Sequence, residues 1–180
     1  MPTSKKAIKQ TPARTVNGVG RKPRSKERPK LERHNDDAPV IDESLAAFKL
    51  YVAPSKIHRW GIYAGERIPP RRKIIEYTGE RVSRRETKRR AEGPLNYLFT
   101  LDSYWCIDGS VGGSGAQYIN HCCDPNVYAV ILKGHILYMA NRWIEKGEEL
   151  TIDYHFAADV EQYPCACGAA NCRGTINLKK

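Results

Sequence analysis

Three cysteines crowd into residues 165–172 near the C-terminal end, Cys165, Cys167 and Cys172, in the pattern C-x-C-x4-C. A segment this short cannot bury a core of its own, so something other than apolar contact must tie it down. Three thiolates supply three of the four soft ligands of a structural zinc, and the fourth then comes from elsewhere in the chain. Cys123 or Cys122, beside the turn residues Asp124, Pro125 and Asn126, is the natural source. A metal shared in this way would pin the tail against the body. Disulfides are the competing use of the six cysteines. Cys165 and Cys167 sit too close to staple the fold through each other, adjacent Cys122 and Cys123 are equally awkward, and no export signal supports an oxidising compartment. Zinc is the better account of the spacing. Cys106, inside YWCID, reads as a small core residue.

Charge divides the chain. Residues 1–34 hold eleven Lys or Arg against two Glu, and so carry nine of the ten net positive charges. With Pro, Ser, Thr and Gly among the lysines and few large apolar side chains, residues 1–46 are expected to form a disordered basic arm. Such an arm suits polyanions, or serves only as a solubilising spacer. Residues 1–34 contain no aromatic, which favours nonspecific phosphate contact over base stacking. The chain shows neither a secretory signal core nor a run long enough to span a bilayer, so an intracellular, soluble protein is expected.

The rest reads as one mainly β domain. FKLYVA (48–53), GIYA (61–64), KIIEYTGE (73–80), LFTL (98–101), YWCID (104–108), VYAVIL (127–132), HILYMA (135–140) and ELTIDY (149–154) are rich in β-branched and aromatic residues. Lys133-Gly134 predicts a tight hairpin, and Asp102-Ser103 a second. Only the segment from Ser83 looks helical, with Ser83 capping toward Glu86 and Gly93-Pro94 stopping it.

Three strings carry a family resemblance. YINHCCDPN resembles the N-H-S-C-x-P-N signature of SET-domain protein lysine methyltransferases, EELTIDYHF resembles their E-E-L-x-x-D-Y signature, and CACGAANCRG resembles their post-SET zinc tail. The order and spacing also agree, from about residue 51 to residue 177. The resemblance implies a SET fold of several small sheets at residues 47–158, with a knot-like crossing of the two signature segments, followed by a zinc-bound post-SET tail at 159–180. It implies Cys123 as the fourth metal ligand beside Cys165, Cys167 and Cys172.

The same resemblance assigns roles. Tyr154 matches the catalytic tyrosine, and Asn120 and His121 match the pair that binds S-adenosylmethionine, with Trp60, Tyr97 and Phe156 completing the donor site. Without the resemblance, Tyr154 would be a packing residue at a strand end and His121 a structural histidine or a metal ligand. Tyr77 and Tyr128 either wall the lysine channel, where cation–π attraction favours methylated ammonium, or pack in strands. Ile152 falls where the family uses Phe or Tyr to limit methylation, so di- or trimethylation is expected. Two departures bear on the donor site. His58-Arg59 replaces the first glycine of the family's G-x-G turn, and Arg59 is expected to preclude an easy positive φ there. Ser114 and Gln117 replace an Asn and an Arg.

The chemistry implied is methyl transfer to a lysine ε-amine. Deprotonating lysine at pH 7 costs about 4–5 kcal/mol before any bond forms, so a desolvated channel beside a cationic donor is what the reaction needs. The substrate class is a histone tail or another basic protein, met by strand addition. Nuclear chromatin is the location in a eukaryote, and the cytoplasm or a host in the case of a bacterium. The competing function is a catalytically degenerate SET fold acting as a nucleic-acid or protein interaction module.

Overall fold

The computed structural model describes residues 38–91 and 97–179. Most of the basic arm and the Gly93-Pro94 helix stop lie outside the described residues. Among the described residues, thirteen short elements form three sheets with little helix. The first sheet pairs β1 (Leu50–Pro54) with β2 (Trp60–Ala64), and Tyr51 stacks on Tyr63 across it at 5.5 Å. The second contains β3 (Lys73–Tyr77), β7 (Asn120–His121), β8 (Val127–Leu132), β9 (His135–Ala140) and β10 (Thr151–Ile152), in the order β3-β9-β8-β10-β7. The third orders β4 (Glu80–Ser83), β6 (Trp105–Asp108) and β5 (Leu98–Thr100) as β4-β6-β5.

Residues 42–46, on the arm side of the expected boundary at 46, join this body. Asp42 N donates to Ser114 O, and Ala46 bridges Ile75. The expected strand 73–80 is two strands in different sheets. At Gly79 the chain passes so close to β6 that a Cβ would lie 2.2 Å from Asp108 O, and the strand breaks there. The Lys133-Gly134 hairpin forms with φ of 50° and 84°, the positive pair of a primed two-residue turn. The helix α1 (Arg84–Arg90) is capped by Ser83, whose side chain accepts from Glu86 N at 3.2 Å.

Strand β10 places the site. It pairs in parallel with β7 on one side and with β8 on the other, so the 122–126 connection straddles it. This is the crossing that the resemblance implies. Asn126, 2% exposed, closes it: its amide donates to Glu149 O (2.8 Å) and Glu148 Oε1 (2.9 Å), and its Oδ1 accepts from Thr151 N (2.8 Å). ELTIDY is therefore a two-residue strand rather than six. The chain that enters this slot has to leave it again, and Tyr154 N turns away to donate to His121 Nδ1 (3.3 Å). The core beneath is aliphatic, with Ile62, Ile68, Ile74, Ile75, Ile136 and Leu150 essentially inaccessible, each contributing about 2 kcal/mol through burial.

Candidate active site

The turn before β2 is held from the crossing. Asn120 donates its amide to Trp60 O (2.9 Å), His58 O (3.3 Å) and Glu149 Oε1 (2.9 Å). Glu149 also accepts from the hydroxyls of Ser55 (2.8 Å) and Tyr63 (3.1 Å). Gly61 is required beneath it, since a Cβ there would stand 2.5 Å from the Glu149 carboxylate. The expectation for Arg59 is overturned: its φ is +44°. A side chain in this region costs about 1–2 kcal/mol. The turn sustains it through Ser55 N to Arg59 O (2.9 Å), Ile57 N to Ser55 Oγ (2.9 Å) and the Asn120 bonds on either side.

Tyr154 leaves the crossing with its hydroxyl donating to Ile119 O at 3.0 Å. Its ring lies 5.4 Å from His121 and 5.8 Å from Phe156, and Phe156 in turn meets Tyr163 at 5.9 Å. Although 39% of the residue is exposed, burial of the hydroxyl pushes the phenol well above its ordinary value, with Tyr97 and Glu149 adding to the effect. The hydroxyl end is thus inside, bonded to the Ile119 carbonyl, while another part of the residue reaches the surface. Burial likewise raises Tyr77, which Tyr154 and Asp108 push further, and Tyr138, which Tyr77 and Tyr154 push further. Tyr97 is raised by burial and by Tyr118, against which its ring packs edge-on at 5.4 Å. Four phenols thus share one neighbourhood and remain neutral at physiological pH, serving as hydrogen-bonding groups rather than bases. The hydroxyl of Tyr77 donates to Tyr97 O.

Ile152 is 5% exposed and belongs to the same buried cluster as Tyr77 and Tyr138. Tyr128 does not join them. It lies on β8 between Val127 and Ala129, whose side chains turn inward, is 37% exposed, and shows no aromatic ring contact among the described residues. Tyr138 takes the inner position instead, 5.8 Å from Tyr77. The two-residue period of the strand turns Ile136, Tyr138 and Ala140 to the buried side. Glu149 and Asn126 lie inside the two signature strings, but nothing in the strings shows the hydrogen bonds through which they act. Ser114 and Gln117 are rebuilt into the scaffold: Ser114 Oγ donates to Glu76 O, and Gln117 Oε1 accepts from Gly115 N at 2.9 Å.

The sulfurs of Cys123, Cys165, Cys167 and Cys172 all lie within 4.8 Å of one another, and Cys123 and Cys165 are 3.8 Å apart. Four sulfurs at Zn–S bonds of about 2.3 Å form a tetrahedron with edges of about 3.8 Å, so the cluster fits that ion. Arg173 N donates to Cys123 Sγ and Gly174 N to Cys172 Sγ, each at 3.4 Å. Burial pushes the Cys167 thiol up, but the Cys123 and Ala169 backbone N–H groups and the thiols of Cys165 and Cys172 outweigh it and bring the value to about 6. Cys122 stays out of the cluster, buried, with its sulfur accepting from Asp124 N at 3.4 Å. Cys106 is buried in the sheet as expected.

A family model described as SET domain matches residues 59–155. The Saccharomyces cerevisiae protein "Histone-lysine N-methyltransferase, H3 lysine-4 specific" is 43% identical over 138 residues, covering 69% of this chain and 13% of that protein. The Drosophila melanogaster protein "Histone-lysine N-methyltransferase SETD1" is 35% identical over 177 residues, covering 90% of this chain and 11% of that one. The chain therefore spans only a small part of these relatives. Among solved structures, KRYPTONITE in complex with mCHG DNA and SAH aligns with a TM-score of 0.62 and 31% identity, over 73% of this chain and 29% of that one.

Proposed function

Because this chain belongs to the SET-domain family, we propose that it transfers methyl groups from S-adenosylmethionine to the ε-amine of a lysine in histone H3 or another basic protein. The observation that carries this reading is the convergence of the buried Tyr154 hydroxyl, the Asn120–His121 strand and the phenols of Tyr77, Tyr97 and Tyr138 in one neighbourhood.

The donor supplies an electrophilic methyl on a cationic sulfur. Asn120, His121, Trp60, Tyr97 and Phe156 are the residues that would hold it. Tyr154 orients its hydroxyl by donating to Ile119 O, which leaves the oxygen lone pairs free and would let them stabilise positive charge on a transferring methyl. The phenols of Tyr77 and Tyr138 line a desolvated wall that favours the neutral amine, and none of them is a phenolate able to take its proton, so the proton leaves to water before transfer. Positioning and desolvation therefore provide the acceleration. Cys123, Cys165, Cys167 and Cys172 would hold one structural zinc.

The test is label transfer from S-adenosylmethionine to histone H3, other basic proteins and lysate. Replacing Tyr154 with Phe should lower the rate about 100-fold or more. Ile152 brings no hydroxyl into the channel, so di- and trimethyl products should accumulate. Mass spectrometry that found monomethyl-lysine alone would reject that. A second reading, an interaction module without activity, rests on the altered 58–59 turn and on Gln117 in place of an Arg. Arg59 nevertheless adopts a positive φ, which favours an intact donor turn. Absence of both donor binding and transfer would restore the module reading. Chromatin is the location that accompanies a histone substrate, with phosphate contact through the basic arm.

A further inference from the structure

We propose that Arg173 is a positioning residue: its ion pair with Asp153 ties the cysteine-cluster tail to the backbone that carries Tyr154, so that the metal site and the reacting hydroxyl are held as one unit. Arg173 donates from Nη1 to Asp153 Oδ2 (2.7 Å) and from Nη2 to Asp153 Oδ1 (2.9 Å), a bidentate fork. The two side chains are 17% and 11% exposed, so this is not a solvated surface pair. The same Arg173 is bound to the cluster by its backbone, whose N–H donates to Cys123 Sγ, and to the far end of the tail by Nη2, which donates to Ile176 O at 3.1 Å.

A second arm leaves the same sulfur. His121 Nδ1 accepts from Tyr154 N at 3.3 Å, which assigns the ring proton to Nε2, and Nε2 faces Cys123 Sγ at 3.5 Å. Asp153 Oδ1 lies 3.5 Å from His121 Nδ1 and accepts from His155 N at 3.0 Å. A closed ring results: Cys123, His121, the Asp153-Tyr154 peptide, Arg173, and back to Cys123. Removing the Arg173 fork opens one arm while leaving all four sulfurs in place. The Asp153-Tyr154 peptide then keeps the bond from Tyr154 N to His121 but loses its tie through Asp153 to the tail.

The kinetic arm of the test rests on the methyl-transfer reading, and the exchange arm does not. Full-length Arg173→Gln, Arg173→Lys and Asp153→Asn, and the Asp153→Asn/Arg173→Gln double variant, are compared with wild type. Bound zinc, S-adenosylhomocysteine affinity by calorimetry, kcat and KM, and amide exchange across residues 151–156 are read on each. Arg173→Gln should keep one zinc and bind S-adenosylhomocysteine within about twofold, while kcat falls at least tenfold and exchange at 151–156 speeds up. Lys, which keeps the charge without the fork, should recover part of kcat. The double variant should fall no further than the worse single variant. Loss of zinc in Arg173→Gln, unchanged exchange and kcat, or single effects that multiply in the double variant would each overturn the proposal. Wild type that transfers no methyl, with exchange still accelerated by Arg173→Gln, would reject the methyl-transfer reading and leave the positioning role standing.

Discussion

At the scale of the residue, Arg59 is the most instructive position. Its sequence context argued against a positive φ, because a Cβ in that region meets the neighbouring carbonyl, and local propensity is all a sequence exposes. What overrides it is remote in sequence: the Asn120 amide on His58 O and Trp60 O, and Glu149 behind Asn120. The strain makes a specific prediction. Arg59→Gly and Arg59→Ala both delete the guanidinium and differ only by a Cβ at φ +44°. The Gly variant should be the more stable of the two by about 1 kcal/mol in urea unfolding, since relief of the αL penalty exceeds the entropy that Gly gains when unfolded. Equal stability would mean that the turn relaxes out of this conformation. Tyr154, Asn120, His121 and the four clustered cysteines were legible because their strings are fixed in type and spacing. Tyr138 and Arg173 were harder to read, since an inward tyrosine on a strand and an arginine after a cysteine look ordinary until the fold brings their partners near.

At the scale of the element, the two long hairpin strands matched their expected limits because VYAVIL and HILYMA are rich in β-branched, aromatic and other apolar residues and the Lys133-Gly134 turn fixes where one ends and the other begins. The crossing was not readable in this way. Strand β7 is Asn-His, with no β-branched residue, and β10 is two residues long, so neither carries a periodic signal. Polar pairing specifies them instead, and Asn126 supplies most of it. Replacing Asn126 with Ala would strand Thr151 N and Glu149 O, both turned inward at the crossing. Each buried orphan costs about 1–3 kcal/mol, so Asn126→Ala should lose roughly 3 kcal/mol in all. Calorimetry should show Tm falling by about 10 °C. Asn126→Asp keeps the acceptor for Thr151 N but turns a buried carboxylate oxygen toward the Glu148 carboxylate and Glu149 O, and should fall further than Asn126→Ala.

At the scale of the molecule, the described body has two differently stabilised parts. The buried apolar cluster runs from Ile62 to Ile152 and includes no residue of the tail. The tail relies on polar and sulfur contacts: Asn177, fully buried, accepts from Tyr163 N and donates to Ala157 O and Glu161 O at 3.0 Å each, Leu178 N donates to Phe156 O at 2.8 Å, and its three cysteines converge on Cys123. Thiolates brought this close repel one another unless a cation lies between them, so with zinc at the four sulfurs the tail would depend on metal in a way the core does not. Removing metal with a strong chelator should therefore act in sequence. Amide exchange across residues 157–179 should rise first, while β3, β8 and β9 stay protected and far-ultraviolet circular dichroism changes little. Methyl transfer should collapse with the tail, because Phe156 and Tyr163 stand beside Tyr154 and would lose their support. Zinc added back should restore both together. If exchange in β8 and β9 rose in step with the tail, the metal would be holding the entire fold, and the division between an apolar body and a metal-dependent tail would be wrong.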